Sequence, residues 1–468
     1  MCCLRVYLNQ FLFVKKPCYL FLILGLVSFS YQEAYAENIK KMPKNIIFMI
    51  GDGMGFSYLS AYRYYRHASQ KNIFIHTEKT LFDKILVGSS GTHPHDETLV
   101  TDSAASATAL STGTKTYNGA IGVNIDRQVL PVFFEKAKEK NLLTGLVVTS
   151  PITHATPASF YAHHVSRKDQ SHIANEFYKS SNQKVPLVDL AFGGGLSFFK
   201  REDRDLTKEL ESLGYGFVSD MSKLNSLKKI PALGIFGDYG LPSALDNNVY
   251  ALADMTDHAL NLLDKEDRGF VLLVEGSQID WCGHANDIAC AMSEMHAFEL
   301  ALSKALNFAK KDRETLVIVT ADHETGGLSL GATGEYQWLA KDVLKIQAGS
   351  ISIAAEILKT DLSHTAIYDV WERYTGLSLS SSDVSRLKQA AVDFRKSKAD
   401  WDIGTGPLIV AINELINSKT YTAWGTSGHT AADVPVMAYG VGARHFVGFN
   451  DNTEIARILH RLVDKIQR

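Results

Sequence analysis

Five short apolar runs, rich in β-branched residues and spread along the chain, constrain the fold most. They are Asn45 to Ile50, Thr144 to Val148, Phe270 to Val274, Leu316 to Val319 and Pro435 to Tyr439. Such runs read as parallel strands buried on both faces. Amphipathic helix patterns precede three of them. Leu130, Phe133, Phe134 and Ala137 share a face before the second run. Leu252, Met255, Ala259 and Leu263 do so before the third, and Met295, Phe298, Leu302 and Leu306 before the fourth. This alternation predicts an α/β fold, a three-layer sandwich whose central, mostly parallel sheet is covered by helices on both faces. With 468 residues, 46% of them hydrophobic, the chain can fill the large core this needs.

The residues that follow these runs are informative. After Ile50 comes Gly51-Asp52-Gly53-Met54-Gly55, after Val274 comes Glu275, and after Val319 comes Thr320-Ala321-Asp322-His323. Ligands of open α/β sheets bind at the carboxyl ends of strands. One acid there is an ordinary turn or cap residue. Three, one of them beside a histidine, point to metal. Residues 331–424 have a different character, with helical patterns at Ser350 to Leu358 and Val384 to Phe394 separated by polar loops. They read as a helical and loop insertion that rejoins the core at Thr426.

The first residues carry an export pattern. Arg5, Lys15 and Lys16 precede an apolar run from Cys18 to Phe29, followed by Ala34-Tyr35-Ala36. This predicts a signal peptide over 1–36, a mature domain over 37–468, and a periplasmic or secreted protein. The apolar run is shorter than the about 20 residues a membrane span needs, and the closing Arg461 to Arg468 is no lipid-anchor tail. A net charge of -3 argues against nucleic acid or an anionic membrane as partner. Past the signal, Cys282 and Cys290 remain, either paired or as two buried thiols.

Several polar residues can carry chemistry. Ser103 opens the alanine-rich, helix-forming Ser103 to Leu110. It reads as a plain N-cap, or as a nucleophile placed where a helix N-terminus holds anions. No Gly-x-Ser-x-Gly elbow surrounds it, so a metal is the better activator. Asp280 and His284 stand four apart, on one face of a helical turn, where they could share a zinc or form a surface pair. Asp322 and His323 can bind one metal. His429 lies beside a glycine-rich turn. Arg167 offers a planar fork of donors for phosphate oxygens, or is a solvated surface arginine.

Taken together, Gly51-Asp52-Gly53-Met54-Gly55, Asp102-Ser103-Ala104, His154-Ala155-Thr156-Pro157, Glu275-Gly276 with Asp280 and His284, Asp322-His323, and His429 resemble the alkaline phosphatase family in order and spacing. The resemblance runs from about Lys44 to Arg444 and is weakest in the insertion. It implies hydrolysis of phosphate monoesters through a phosphoserine at Ser103. Asp280, His284 and His429 would hold one zinc, and Asp52, Asp322 and His323 a second. Asp52 would bridge to a magnesium also held by Thr156 and Glu275. Arg167 would clamp phosphate, steadied by Asp102. His154 stands where some members have Asp, and Trp281 where some have Lys or His. The alternative is another member of the same metallohydrolase superfamily, a phosphodiesterase or a sulfatase-like enzyme. Ser103-Ala104-Ala105-Ser106-Ala107 lacks the Pro and Arg of a sulfatase nucleophile motif. A homodimer is expected, with the insertion serving as dimer contact or lid.

Overall fold

In the computed structural model, fourteen strands lie among the described residues, which are 42–69, 78–179, 186–332, 334–396 and 406–466. The expected signal peptide falls outside them. In chain order the strands are β1 (Asn45–Gly51), β2 (Leu86–Gly91), β3 (Leu143–Pro151), β4 (Leu190–Gly194), β5 (Gly216–Val218), β6 (Ala232–Ile235) and β7 (Phe270–Gly276). Then follow β8 (Thr315–Thr320), β9 (Glu324–Thr325), β10 (Leu328–Leu330), β11 (Thr422–Trp424), β12 (His429–Thr430), β13 (Val434–Gly440) and β14 (Gly448–Asp451). Ten of them form one sheet in the order β14-β2-β13-β8-β1-β7-β3-β4-β6-β5.

β1 sits between β7 and β8, parallel to both, with Ile50 level with Glu275 on one side and Thr320 on the other. Its residues are wholly buried because both faces are covered. Ile47 and Met49 share a core with Ala259 and Leu263 of the Ala251–Leu263 helix and with Phe298 and Leu302 of the Ile288–Asp312 helix. Phe48 points the other way and meets Phe160 edge-on at 5.8 Å, and Phe133 and Phe134 also pack on Phe160. The Ser103–Thr112 and Asn452–Asp464 helices pack together, apart from that first core. Sheet and helices thus make the expected three layers.

One strand corrects the expectation. β13, the fifth apolar run, is antiparallel to both β2 and β8. The cause is its approach. The chain returns through β12, which pairs with β9 just beyond the carboxyl end of β8, so it enters the sheet from that edge and runs backwards. The expected helix before β3 also starts later, at Phe133, leaving Leu130 outside it.

β10 and β11 pair antiparallel, Leu328 opposite Trp424, and so join the two ends of the 331–424 segment. Between them lie the helices Ala340–Lys345, Ser350–Lys359, His364–Thr375, Ser381–Lys396 and Pro407–Thr420. Trp371, fully buried, donates from Nε1 to the Leu377 carbonyl at 2.8 Å. Trp371→Ala should cost about 3–5 kcal/mol. Because this side chain belongs to the helical segment, amide exchange is expected to accelerate there and stay slow in β1 and β7. Equal acceleration in the sheet would show that the segment does not open separately.

Candidate active site

The Ser103–Thr112 helix begins with a division of labour that the sequence did not resolve. Its N-cap is Asp102, whose Oδ1 accepts from Ala105 N–H at 2.9 Å and from Gly119 N–H at 3.0 Å. Ser103, the first helical residue, is therefore free of capping duty. Its hydroxyl is buried and lies 3.1 Å from His323 Nε2. The other Asp102 oxygen takes a hydrogen bond from Arg167 Nη1 at 3.1 Å. One carboxylate thus ties the helix start, the Gly119 loop and the arginine together.

Three clusters of ligand-type side chains surround this serine, each with its ligand atoms within 4.8 Å of one another. Asp280, His284 and His429 form the first. The Gln278–His284 helix places Asp280 and His284 on one face, and β12 delivers His429. Their geometry is fixed from behind. His284 Nδ1 donates to the Ser427 carbonyl at 2.6 Å and His429 Nδ1 to the Thr101 carbonyl at 2.8 Å. That turns both Nε2 atoms towards one point, 3.1 Å apart, which is the usual backing of a metal-bound imidazole.

Asp52, Asp322 and His323 form the second cluster, at the ends of β1 and β8. Asp322 Oδ1 accepts from the N–H groups of Gly53 and His323, while its Oδ2 and both oxygens of Asp52 are buried without a partner. His323 Nε2 faces Asp322 Oδ2 at 3.1 Å, Asp52 Oδ1 at 3.5 Å and Ser103. A Ser-His-Asp relay needs serine and carboxylate on opposite ring nitrogens. Here they crowd the same one, as ligands around a shared ion do.

The third cluster is Asp52, His154 and Glu275. Glu275 is the next-to-last residue of β7, and its Oε2 accepts from Ser277 at 2.6 Å and Ser150 at 3.2 Å. Its Oε1, and the hydroxyl of Thr156 nearby on the Ala155–Ala158 turn, have no partner. Among the described residues, five buried oxygens without a partner, on Asp52, Asp322, Glu275 and Thr156, thus belong to this one site. Burying unpaired carboxylates costs several kcal/mol each, and cations remove that cost.

The electrostatics agree. Burial, then the charges of Asp322, Asp280 and Glu275, pushes the Asp52 carboxyl well above its usual range. Burial lifts Glu275 to about 7. It would also raise Asp280, but His284, His429 and His323 outweigh it and hold that carboxyl well below the usual range. His284 moves up to about 9, since Asp280 overcomes its burial.

A sequence model of alkaline phosphatase matches residues 43–464. The chain belongs to the alkaline phosphatase family. It is 44% identical to alkaline phosphatase 3 of Bacillus subtilis over 92% of each chain. A cold-active alkaline phosphatase from the psychrophile Shewanella sp. superposes with a TM-score of 0.81 at 40% identity, covering 90% of this chain and 99% of the other. An alkaline phosphatase from the Antarctic bacterium TAB5, in a histidine-to-aspartate variant with magnesium in its M3 site, superposes at 0.65 with 31% identity, covering 91% and 99%. The chain is a phosphomonoesterase of this family and depends on metal.

Of the residues expected at the alkaline phosphatase site, Ser103, Arg167, Asp52, Thr156, Glu275, Asp280, His284, Asp322, His323 and His429 are all positioned at the carboxyl edge of the sheet or the loops above it. Sequence reasoning missed a link. His154 Nε2 accepts from Arg167 Nη2 at 3.1 Å, so His154 joins the arginine to the third cluster. Burial and Arg167 lower it to about 3. Arginine can only donate, so the neutral ring carries its proton on Nδ1 and presents an N–H, not a lone pair, on its other side. Thr325 was missed too. It donates to Asp280 Oδ1 at 2.5 Å and had no motif to announce it.

Gly283 lies between Asp280 and His284, and a Cβ there would stand 2.5 Å from Tyr58 Oη and 2.9 Å from Thr325 Cγ2. Gly283→Ala should push this helix off its seat, lower bound metal and raise the metal concentration needed for activity. It should cost about 1–3 kcal/mol of stability. Unchanged metal content and activity would contradict the packing argument.

Proposed function

We propose that this phosphomonoesterase works through a phosphoserine at Ser103, with Arg167 as phosphate clamp and with two zinc ions and one magnesium ion. The observation that carries this is the Ser103 hydroxyl, relieved of capping by Asp102 and set at a helix N-terminus beside the second cluster. Asp280, His284 and His429 would hold one zinc, and Asp52, Asp322 and His323 the other. Imidazole with carboxylate suits zinc, whereas the all-oxygen set of Asp52, Thr156 and Glu275 suits magnesium. Magnesium in the M3 site of the TAB5 variant supports a third position of that kind. When bound, the ions supply Lewis-acid charge that lowers the pKa of hydroxyl and water and stabilises phosphoryl oxygens.

The chain's own residues then do the following. Arg167 spends one donor on Asp102 and one on His154, which fixes the plane of its fork and leaves its other N–H groups for phosphate oxygens. Ser103 Oγ bonds to phosphorus as the ester P–O bond breaks and the alcohol leaves. Water then attacks the phosphoserine from the vacated side, releasing phosphate and restoring the hydroxyl. The N-terminus of the Ser103–Thr112 helix favours the charge that develops. Purified protein should release p-nitrophenol from p-nitrophenyl phosphate and lose this on chelation. Ser103→Ala should abolish the trapped phosphoenzyme while retaining metal. Phosphoenzyme persisting in that variant would rule out Ser103.

Trp281 packs edge-on against His154 at 6.1 Å and stacks on Tyr239 at 5.7 Å. An indole brings no positive charge to this neighbourhood, so phosphate should leave more readily than with a lysine there. Trp281→Lys should lower the inhibition constant for inorganic phosphate, about tenfold if the new ammonium gains ~1.4 kcal/mol of charge-assisted bonding. An unchanged constant would count against this reading.

Export after cleavage behind Ala36 and assembly as a homodimer are also proposed. The Cys282–Cys290 disulfide, with Cα atoms 5.5 Å apart, supports an oxidising destination. Among the described residues no helix is long and apolar enough to cross a membrane.

A further inference from the structure

Among the described residues one more group of ligand-type side chains converges, outside the three clusters above. His164, Asp169 and His172 bring ligand atoms within 4.8 Å of one another. His164 Nε2 lies 3.7 Å from Asp169 Oδ2, and the two imidazole centroids are 4.8 Å apart. Ligands on one tetrahedral zinc sit about 3.3–3.5 Å apart, given bonds of ~2.0–2.1 Å. Asp169 and His172 are exposed, and rotation of their side chains would have to close the difference.

Two of the three residues, His164 and Asp169, are held from behind, while His172 Nε2 lies 3.6 Å from Glu176 Oε1 one turn along its helix. His164 Nδ1 is 2.7 Å from the Ser166 carbonyl oxygen and 3.1 Å from Ser166 N. The Ser166 N–H donates to Nδ1 and the Ser166 carbonyl lies against the same atom, so the ring is held with Nε2 facing Asp169. Asp169 caps the Gln170–Tyr178 helix through Oδ1, which accepts from His172 N–H at 3.1 Å and leaves Oδ2 towards His164. Backbone bonds between His164 and Ile121, at 2.8 and 2.9 Å, hold the other side. A carbonyl behind one imidazole and a backbone amide on the second carboxylate oxygen orient a site as second-sphere partners do.

We propose that His164, Asp169 and His172 form a fourth metal site, of zinc type, with water at the remaining position. It straddles Arg167, three residues after His164 and two before Asp169, so an ion there cross-links the segment that presents the phosphate clamp. The site is separate from the serine and its three clusters, and its test does not depend on their roles. Full-length protein loaded with zinc and magnesium would be dialysed against micromolar zinc, and metal per chain counted by mass spectrometry. Wild type should carry one zinc more than His164→Gln/His172→Gln, and the variant should keep its kcat on p-nitrophenyl phosphate. Equal zinc contents overturn the proposal. A wild-type crystal at the same zinc concentration gives a check that needs no variant: anomalous density between the three side chains at the zinc edge supports the site, and its absence overturns it.

Discussion

The structure depends on four carboxylates, Asp52, Glu275, Asp280 and Asp322, held together with almost no water access. Each would cost several kcal/mol to bury alone. They stay in place because their backbone cannot yield. Asp52 and Asp322 follow β1 and β8, Glu275 is inside β7, and these three strands are adjacent, parallel and packed on both faces. The sheet concentrates negative charge that cations must offset, so metal binding and folding are thermodynamically one process at this edge.

Asp102 carries the same logic into the organic part of the site. Its two oxygens serve a helix cap, a loop amide and Arg167. The arginine is in turn bonded to His154, which borders the third cluster. Asp102, Arg167 and His154 therefore link the start of the serine's helix to the third cluster in one polar network. Such a network specifies geometry only when every member is satisfied, and the orphaned atoms of Asp52, Asp322, Glu275 and Thr156 all face the clusters.

How much of this was legible in the sequence follows from physical range. β1, β3, β7 and β8 could be read because burial on both faces leaves a continuous apolar run. β2 and β4 could not, because Gly88, Gly91, Gly193 and Gly194 interrupt them, and a Cβ at Gly193 would press into Val148 at 2.6 Å. The direction of β13 is set by where the chain enters the sheet, which local pattern does not encode. In the site, acids after strands and the Asp280–His284 pair were visible locally, and the family resemblance grouped them. The capping role of Asp102 rather than Ser103, and the contact of His154 with Arg167, depend on chain segments meeting across loops.

The helical segment between β10 and β11 shows why a large excursion can sit close to such a demanding site. Its ends are pinned before and after it. Gly326, left-handed at φ 89°, allows Trp424 to pack where a Cβ would stand 2.5 Å from the indole, and its amide and carbonyl bond to Gly428 and Gly425. His429 follows at once. The helices also grip the turn beyond His284: Asn413 donates to the Ala285 carbonyl, Asn417 to that of Asn286, and Ser350 N–H to Asp287. The excursion therefore contacts both halves of the first cluster, His429 through the chain and Asp280 with His284 through their helix. Changes inside its helices can be absorbed by their own packing. Changes at Gly326, Trp424 or the two asparagines reach the first cluster directly.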